Sequence, residues 1–289
     1  MDFENIVFKS RDKIAIIALN SPENFNAATE ELLTDLGSAL DLCMDDDGIR
    51  VIVIRGEGKV FCSGTDAHTL KKGLEERDTQ KFARLVRASG NVARKLRAIR
   101  KPVVASLHGA VAGTACGLAL LCDFRVASDD VFFIETFLNM GIIPDMGYTF
   151  SLGRYLGFGR LTEYLMLSKL LTAGEAFELG LVNIVTAKEN LQNETMNLAK
   201  KLVALPSDTI ALTKTLINQT IFAGLDQCLD REIKYQDLLS RSENFAEGVD
   251  AFLEKRPAVF NKQDAHTSAA GDKNLQAQQN MINEEVPGL

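Results

Sequence analysis

A chain of 289 residues with 46% apolar and 25% charged side chains has the composition of a soluble globule, and 21 glycines with 6 prolines exclude a collagenous or largely disordered polymer. Its 32 basic and 39 acidic residues leave a net charge of −7, a mean field that repels phosphate and argues against nucleic-acid or anionic-membrane partners in general. The five cysteines (Cys43, Cys62, Cys116, Cys122 and Cys228) fit neither a metal-binding CxxC pattern nor a disulfide framework. They read as reduced thiols. With an acidic N-terminal stretch and no apolar run behind it, a cytoplasmic protein is expected.

In chain order, Ile6 to Phe8 and Ile14 to Leu19 read as short strands around a polar turn over 9–13. From about Ala28, Leu32, Leu33, Leu36, Ala39, Leu40 and Cys43 recur at helical spacing, up to the turn signal Asp45-Asp46-Asp47-Gly48. Val51 to Ile54 is a continuously apolar strand, buried on both faces. A long helix over 78–99 and a strand over Val103–Leu107 follow, then short strands at Phe124–Ala127 and Val131–Phe133. Past Gly141 the pattern turns helical, with one strand at Val182–Val185 and helices near 190–204, 207–222, 226–241 and 243–254. The reading divides the chain into a core over 1–200, a helical subdomain over 201–260 and a disordered polar tail over 261–289.

Residues 102–122 challenge this scheme, because their length and apolarity would span a bilayer and Gly109, Gly113 and Gly117 have GxxxG spacing. Pro102, the β-branched Val103 and Val104, and the break at His108-Gly109 favour a buried strand, a glycine turn and a buried helix.

Neither HExxH, GxSxG, GxGxxG after a strand nor GxxxxGK occurs, so zinc-protease, hydrolase, dinucleotide and P-loop chemistries lack their key residues. Three histidines offer little for a metal site, and neither metal nor separate cofactor is expected. Two glycine turns remain, Val60 to Asp66 and His108 to Gly117, each between a buried strand and a helix. Such turns aim free N–H groups outward, as an oxyanion hole requires, although a glycine turn taken singly is more often plain tight packing.

In this order and spacing the motifs resemble the enoyl-CoA hydratase/isomerase (crotonase) superfamily over residues 3–260. They are Leu19 to Ala27, Phe61 to Asp66, Lys101 to Ala105, His108-Gly109 to Cys122-Asp123, Gly141 to Gly147, Leu171 to Ala176 and Gly180 to Val182. The resemblance implies an α/β fold, a ββα-spiral core with a helical C-terminal trimerisation region, in a homotrimer or hexamer. It implies an acyl-CoA thioester substrate, with CoA as part of that substrate. The N–H groups of Thr65 and Thr114 would hold the thioester oxygen, Thr114 standing where relatives usually have glycine. Phe25, Ala27, Ser63, Gly64, Asp66, Ala67, Gly113 and Phe137 would line the substrate path. Glu23 replaces a basic residue that many relatives carry there.

The resemblance also bears on the reaction. The two water-activating glutamates of the family's hydratases fall at Gly117 and Phe137 here, so both are absent. Asp145 stands where certain double-bond isomerases of the family carry their single carboxylate. One carboxylate suffices to take a proton from C2 and return it at C4, whereas hydration also needs a held water. Read by itself, without the resemblance, Asp145 in Pro-Asp-Met-Gly is a helix cap before it is a base. Glu135, at the same strand parity as Phe137, is the reserve base. An enoyl-CoA isomerase is the expectation. The alternatives are a hydratase with an atypical base and a silent acyl-CoA-binding or RNA-binding homologue. The last rests on eight basic residues between Lys81 and Lys101 with no acid among them, otherwise a solvated helix face. No aromatic residue among them offers base stacking beyond Phe82 near one end, which argues against single-strand recognition.

Overall fold

Strands β1 (Ile6–Arg11) and β2 (Ile14–Leu19) form an antiparallel hairpin closed by Asp12 and Lys13, both at positive φ (54° and 66°). A two-residue turn of this hand matches the twist of the strands, so β1 runs further and the turn is tighter than the polar run over 9–13 suggested. The computed structural model describes residues 3–76 and 78–261. Helix α1 (Glu30–Asp45) begins where the Thr29 hydroxyl accepts from the Leu32 N–H. Strand β3 (Val51–Gly56), α2 (Ala67–Glu75), α3 (Thr79–Ala98) and β4 (Val103–Leu107) follow, then β5 (Ala110–Ala112), α4 (Thr114–Leu121), β6 (Phe124–Ser128) and β7 (Phe132–Ile134). The second half holds α5 (Tyr148–Met166), β8 (Leu170–Thr172), α6 (Ala173–Glu178), β9 (Ile184–Thr186) and α7 (Leu191–Val203), then α8 (Ser207–Ile221), α9 (Leu225–Leu239) and α10 (Glu243–Leu253).

Six strands make one sheet in the order β1-β2-β3-β4-β6-β9, parallel from β2 onward. Both faces are covered, which is why β3 and β4 read as unbroken apolar runs. Ile52, Ile54, Val103 and Ala105 face a core shared with Leu36 and Leu40 of α1 and Leu96 of α3. Val51, Val53 and Val104 point the other way, onto Leu191, Ala199 and Leu202 of α7. Truncating a fully buried leucine such as Leu36 to alanine would cost about 2–5 kcal/mol. A second sheet, β5-β7-β8, stands beside the first, tied to the turn after β3 by a bridge between Cys62 and Val111.

Residues 102–122 thus form β4, β5 and the eight-residue helix α4, and among the described residues no helix is long and apolar enough to cross a membrane. Several elements differ from the sequence reading. Strand β5 occupies what read as a glycine turn; α2 and β8 were hidden because short elements carry little periodicity. Strand β9 lies two residues further on at its start than the Val182–Val185 estimate. Of the tail, Asn261 is held by Asn244, its N–H donating to Oδ1 at 2.9 Å, and 262–289 lie outside the described residues.

The basic run belongs mostly to α3 and is only partly a solvated face: Arg84, Arg87 and Arg100 are exposed, while Arg94, Lys95, Arg97 and Lys101 turn toward partners. Arg97 is buried, pairs with Asp123 at 3.0 Å and donates to Leu121 O and Asn218. Arg94 reaches Asp226 and Asp230 of α9, Arg84 reaches Glu30, and Lys95 reaches Asp41. Lys101 donates to Cys43 O and Asp46 O at the end of α1. These charges tie α1, α3 and α9 together.

Candidate active site

Asn26 binds the first turn together. It is fully buried at positive φ, its Nδ2 donates to the carbonyls of Glu57, Val60 and Phe61, and its Oδ1 accepts from Ser21 N–H. The loop carrying half-buried Phe25 and buried Ala27 is thereby locked to the turn after β3, where Ser63 N–H donates to Phe25 O at 3.0 Å. Ala28 N–H donates to Gly64 O at 2.7 Å. Gly64 sits at φ +84°, with Ala112 O within 2.5 Å of where a Cβ would stand, so only glycine fits. The next residue is Thr65. Asp66 accepts from His68 N–H, Thr69 N–H and the Thr69 hydroxyl, so its carboxylate caps α2, which opens at buried Ala67.

The second turn pivots on Gly113 (φ +50°), whose N–H donates to Ile134 O. Thr114 then opens α4, at 1% exposure. The hydroxyls of Thr65 and Thr114 lie 2.8 Å apart. Neither residue's backbone N–H donates to another protein atom among the described residues. The two turns, distant in sequence, therefore meet and present two free donors, one at a helix N-terminus whose dipole favours negative charge.

Asp145 lies beside them. It is 2% exposed, and its Oδ1 has no hydrogen-bond partner among the described residues. Burial pushes its carboxyl up to about 7, with the Thr114 hydroxyl opposing. It does not cap α5: the N-cap is Gly147 (φ 66°), and only Asp145's main-chain carbonyl bonds forward, to Tyr148 N–H. That settles the capping alternative against Asp145.

At Gly117 and Phe137, the two positions to which the resemblance assigns a hydratase's glutamates, the space is filled. A Cβ on Gly117 would lie 2.7 Å from Met146 Cβ and 2.9 Å from Met146 O, so the buried Met146 excludes any side chain there. Phe137 is 1% exposed, its ring against Gly113 and 6.4 Å from that of Tyr148. Glu135 departs from the parity expected of it. Strand β7 stops at Ile134, and the Glu135 carboxylate turns back to accept from Phe137 N–H (2.8 Å) and the Ser168 hydroxyl (2.9 Å). Burial pushes it up to about 7 as well.

Three residues here escaped the sequence reading as parts of the site: Met146, Glu232 and Gln236. Glu232 accepts from Gly147 N–H, and Gln236 bonds both the N–H and the carbonyl of Ile143. Both sit on α9, so nothing near the Gly141–Gly147 motif announces them. A buried carboxylate beside two free N–H donors is an arrangement chemically able to take a proton and hold an oxygen that becomes negative, as forming an enolate requires.

The fold is of the crotonase type. A solved enoyl-CoA hydratase from Mycobacterium avium subsp. paratuberculosis superposes with a TM-score of 0.82 at 28% identity, over 90% of this chain and 100% of that one. The family description enoyl-CoA hydratase/isomerase matches residues 9–263, and the chain belongs to that family. Relatives include a trans-2-decenoyl-[acyl-carrier-protein] isomerase from Streptococcus mutans (33% identical; 90% of this chain, 99% of the relative). A crotonyl-CoA hydratase from Syntrophomonas wolfei is 31% identical over 90% of this chain and 99% of its own.

Proposed function

We propose that the protein shifts the double bond of an enoyl-CoA thioester from the 3,4 to the 2,3 position. Asp145 takes a proton from C2. The electron pair left behind delocalises onto the thioester oxygen, held by the N–H groups of Thr65 and Thr114, and Asp145 then returns the proton to C4. The double bond ends between C2 and C3, and nothing is gained or lost overall. Phe25, Ala27, Ser63, Gly64, Ala67, Gly113 and Phe137 line the substrate, and Asp66 contributes by fixing the start of α2. The exposed Leu212, Leu216 and Ile221 of α8 support self-assembly through the C-terminal helices.

One observation carries the reading: a single carboxylate with an unpartnered buried oxygen stands beside the two free donors, while Met146 and Phe137 fill the sites of a hydratase's carboxylates. The test is a panel of 2-enoyl-, 3-enoyl- and dienoyl-CoA thioesters, with a 3-enoyl-acyl-carrier-protein alongside. Conversion of 3-enoyl- to 2-enoyl-CoA with crotonyl-CoA hydration at background is expected. Robust hydration by the wild type would overturn the isomerase reading.

A further inference from the structure

The loop that carries Asp145 is held on both sides by α9, a helix some ninety residues further along the chain. Two residues beyond Asp145, Gly147 N–H donates to Glu232 Oε2 at 3.1 Å. Two residues before it, Ile143 N–H donates to Gln236 Oε1 at 3.3 Å and Ile143 O accepts from Gln236 Nε2 at 2.6 Å. Glu232 and Gln236 are four apart, so one helix face presents both. They are 5% and 0% exposed. Between the two grips lie Pro144, Asp145 and Met146, the last in the left-handed region at φ 54°, which a methionine adopts only when its surroundings impose it. The surroundings of Glu232 are Asp145 and Gly147 from the loop, Cys228 on its own helix, donating from Sγ at 3.5 Å, and Arg94 of α3, already paired with Asp226 and Asp230.

We propose that Glu232 is a positioning residue for Asp145, holding the loop that carries the base and acting on turnover only through it. The proposal rests on the reading of Asp145 as the base. A carboxyl in this place fits the task better than a hydroxyl or an amine. It reaches the loop from α9 and accepts the Gly147 N–H on Oε2, with Oε1 toward the Cys228 thiol. The first of these contacts is the one that holds the loop, and a glutamine oxygen keeps it. Burial, reinforced by the charge of Asp145, pushes Glu232 up to about 8, so near neutral pH it carries its proton and glutamine reproduces its shape and charge. Alanine removes the acceptor and leaves Gly147 N–H unpaired in a buried place, free to pull Met146 and Asp145 out of register. Displacement of a reacting group by about 1 Å can cost 10²-fold in rate.

The experiment measures kcat and KM for a 3-enoyl-CoA in Glu232→Gln, Glu232→Ala and Glu232→Asp, each in the wild-type and Asp145→Asn backgrounds, with thermal melts of all. Glu232→Ala is expected to lower kcat by roughly 10- to 100-fold with KM within about threefold, and Glu232→Gln to keep kcat within about threefold. Against Asp145→Asn, Glu232→Ala should remove none of the residual turnover, because the residue through which it acts is already gone. If Glu232→Ala does not fold, Glu232→Asp decides: its shorter reach should lower kcat by at least about fivefold. Wild-type kcat in the Ala or Asp variant, or losses that multiply fully in the Asp145→Asn background, would overturn the proposal. An Asp145→Asn enzyme with undiminished turnover would instead remove the base reading itself. A dead Asp145→Asn beside unaffected Glu232 variants would sink this inference alone.

Discussion

Glu135 and Asp145 make a controlled pair. Both carboxyls are 2% exposed, both flank the turn that runs from β7 to α5, and burial pushes both up to about 7. Their partners differ. Glu135 accepts from a backbone N–H and a hydroxyl, so its two oxygens are spent on holding the residues after β7. Among the described residues, Asp145 keeps an oxygen without a partner and sits beside Thr114, whose N–H is unused. A raised proton affinity therefore does not single out a base, because desolvation acts on any buried carboxyl. What separates the two is the unmet hydrogen-bonding capacity at Asp145, costly in a folded protein unless something else uses it.

The largest effect should come from Asp145→Asn. If Asp145 is the base proposed above, kcat for a 3-enoyl-CoA should fall by the roughly 10²–10⁴-fold that loss of a general base typically costs. Stability should move the other way. The folded carboxyl holds its proton more tightly than the unfolded one, so its contribution is full below about pH 4 and is lost as pH rises toward 7. At pH 8 Asp145→Asn should melt above the wild type, by a margin that shrinks on acidification. A variant with full turnover and no pH-dependent margin would erase the contrast with Glu135.

Gly117→Ala should come next. Its methyl would enter the space of Met146 Cβ and O, the residue directly after Asp145, and backbone must move to admit it. Overpacking of this kind costs about 1–3 kcal/mol, and the displaced loop should lose roughly tenfold in kcat. Melts and initial rates on one preparation would check both numbers. Glu135→Ala should cost a similar 1–3 kcal/mol, since Phe137 N–H and the Ser168 hydroxyl lose their acceptor in a buried place. Its kcat should stay within about threefold of wild type. A larger loss of turnover than of stability would make Glu135 a participant.

The sequence made the sheet and long helices legible because β3 and β4 are buried on both faces and α1 keeps a regular apolar stripe. Thr65, Thr114 and Asp145 were named through the family resemblance of their motifs, and the fold brings the three together. What it hid were short elements and distant side-chain grips. Strand β5 is three residues long, and its pairing with β7 has no local signature. The parity argument for Glu135 failed because β7 ends at Ile134, one residue too early for parity to carry. The run of basic residues is an exposed face in part, and the acids that pair with Arg94, Lys95 and Arg97 lie on α9, on α1 and at Asp123. Charge pairing across tertiary contacts cannot be read from charge runs.

The finest separation of the two carboxyls lies in the pH profile. If Asp145 must be ionised to accept the C2 proton, kcat/KM of the wild type should fall about tenfold per pH unit below about 7 and flatten above it. Glu135 titrates in the same range, so the limb alone does not say whose proton is being counted. Glu135→Gln separates them. Glutamine still accepts from Phe137 N–H, and it cannot ionise. If the limb belongs to Asp145, it should stay within about 0.3 pH units of its wild-type position, and the plateau should be unchanged within about twofold. A limb that disappears would assign the essential ionisation to Glu135, and one displaced by a full unit would mean that the two carboxyls share their protons across the turn.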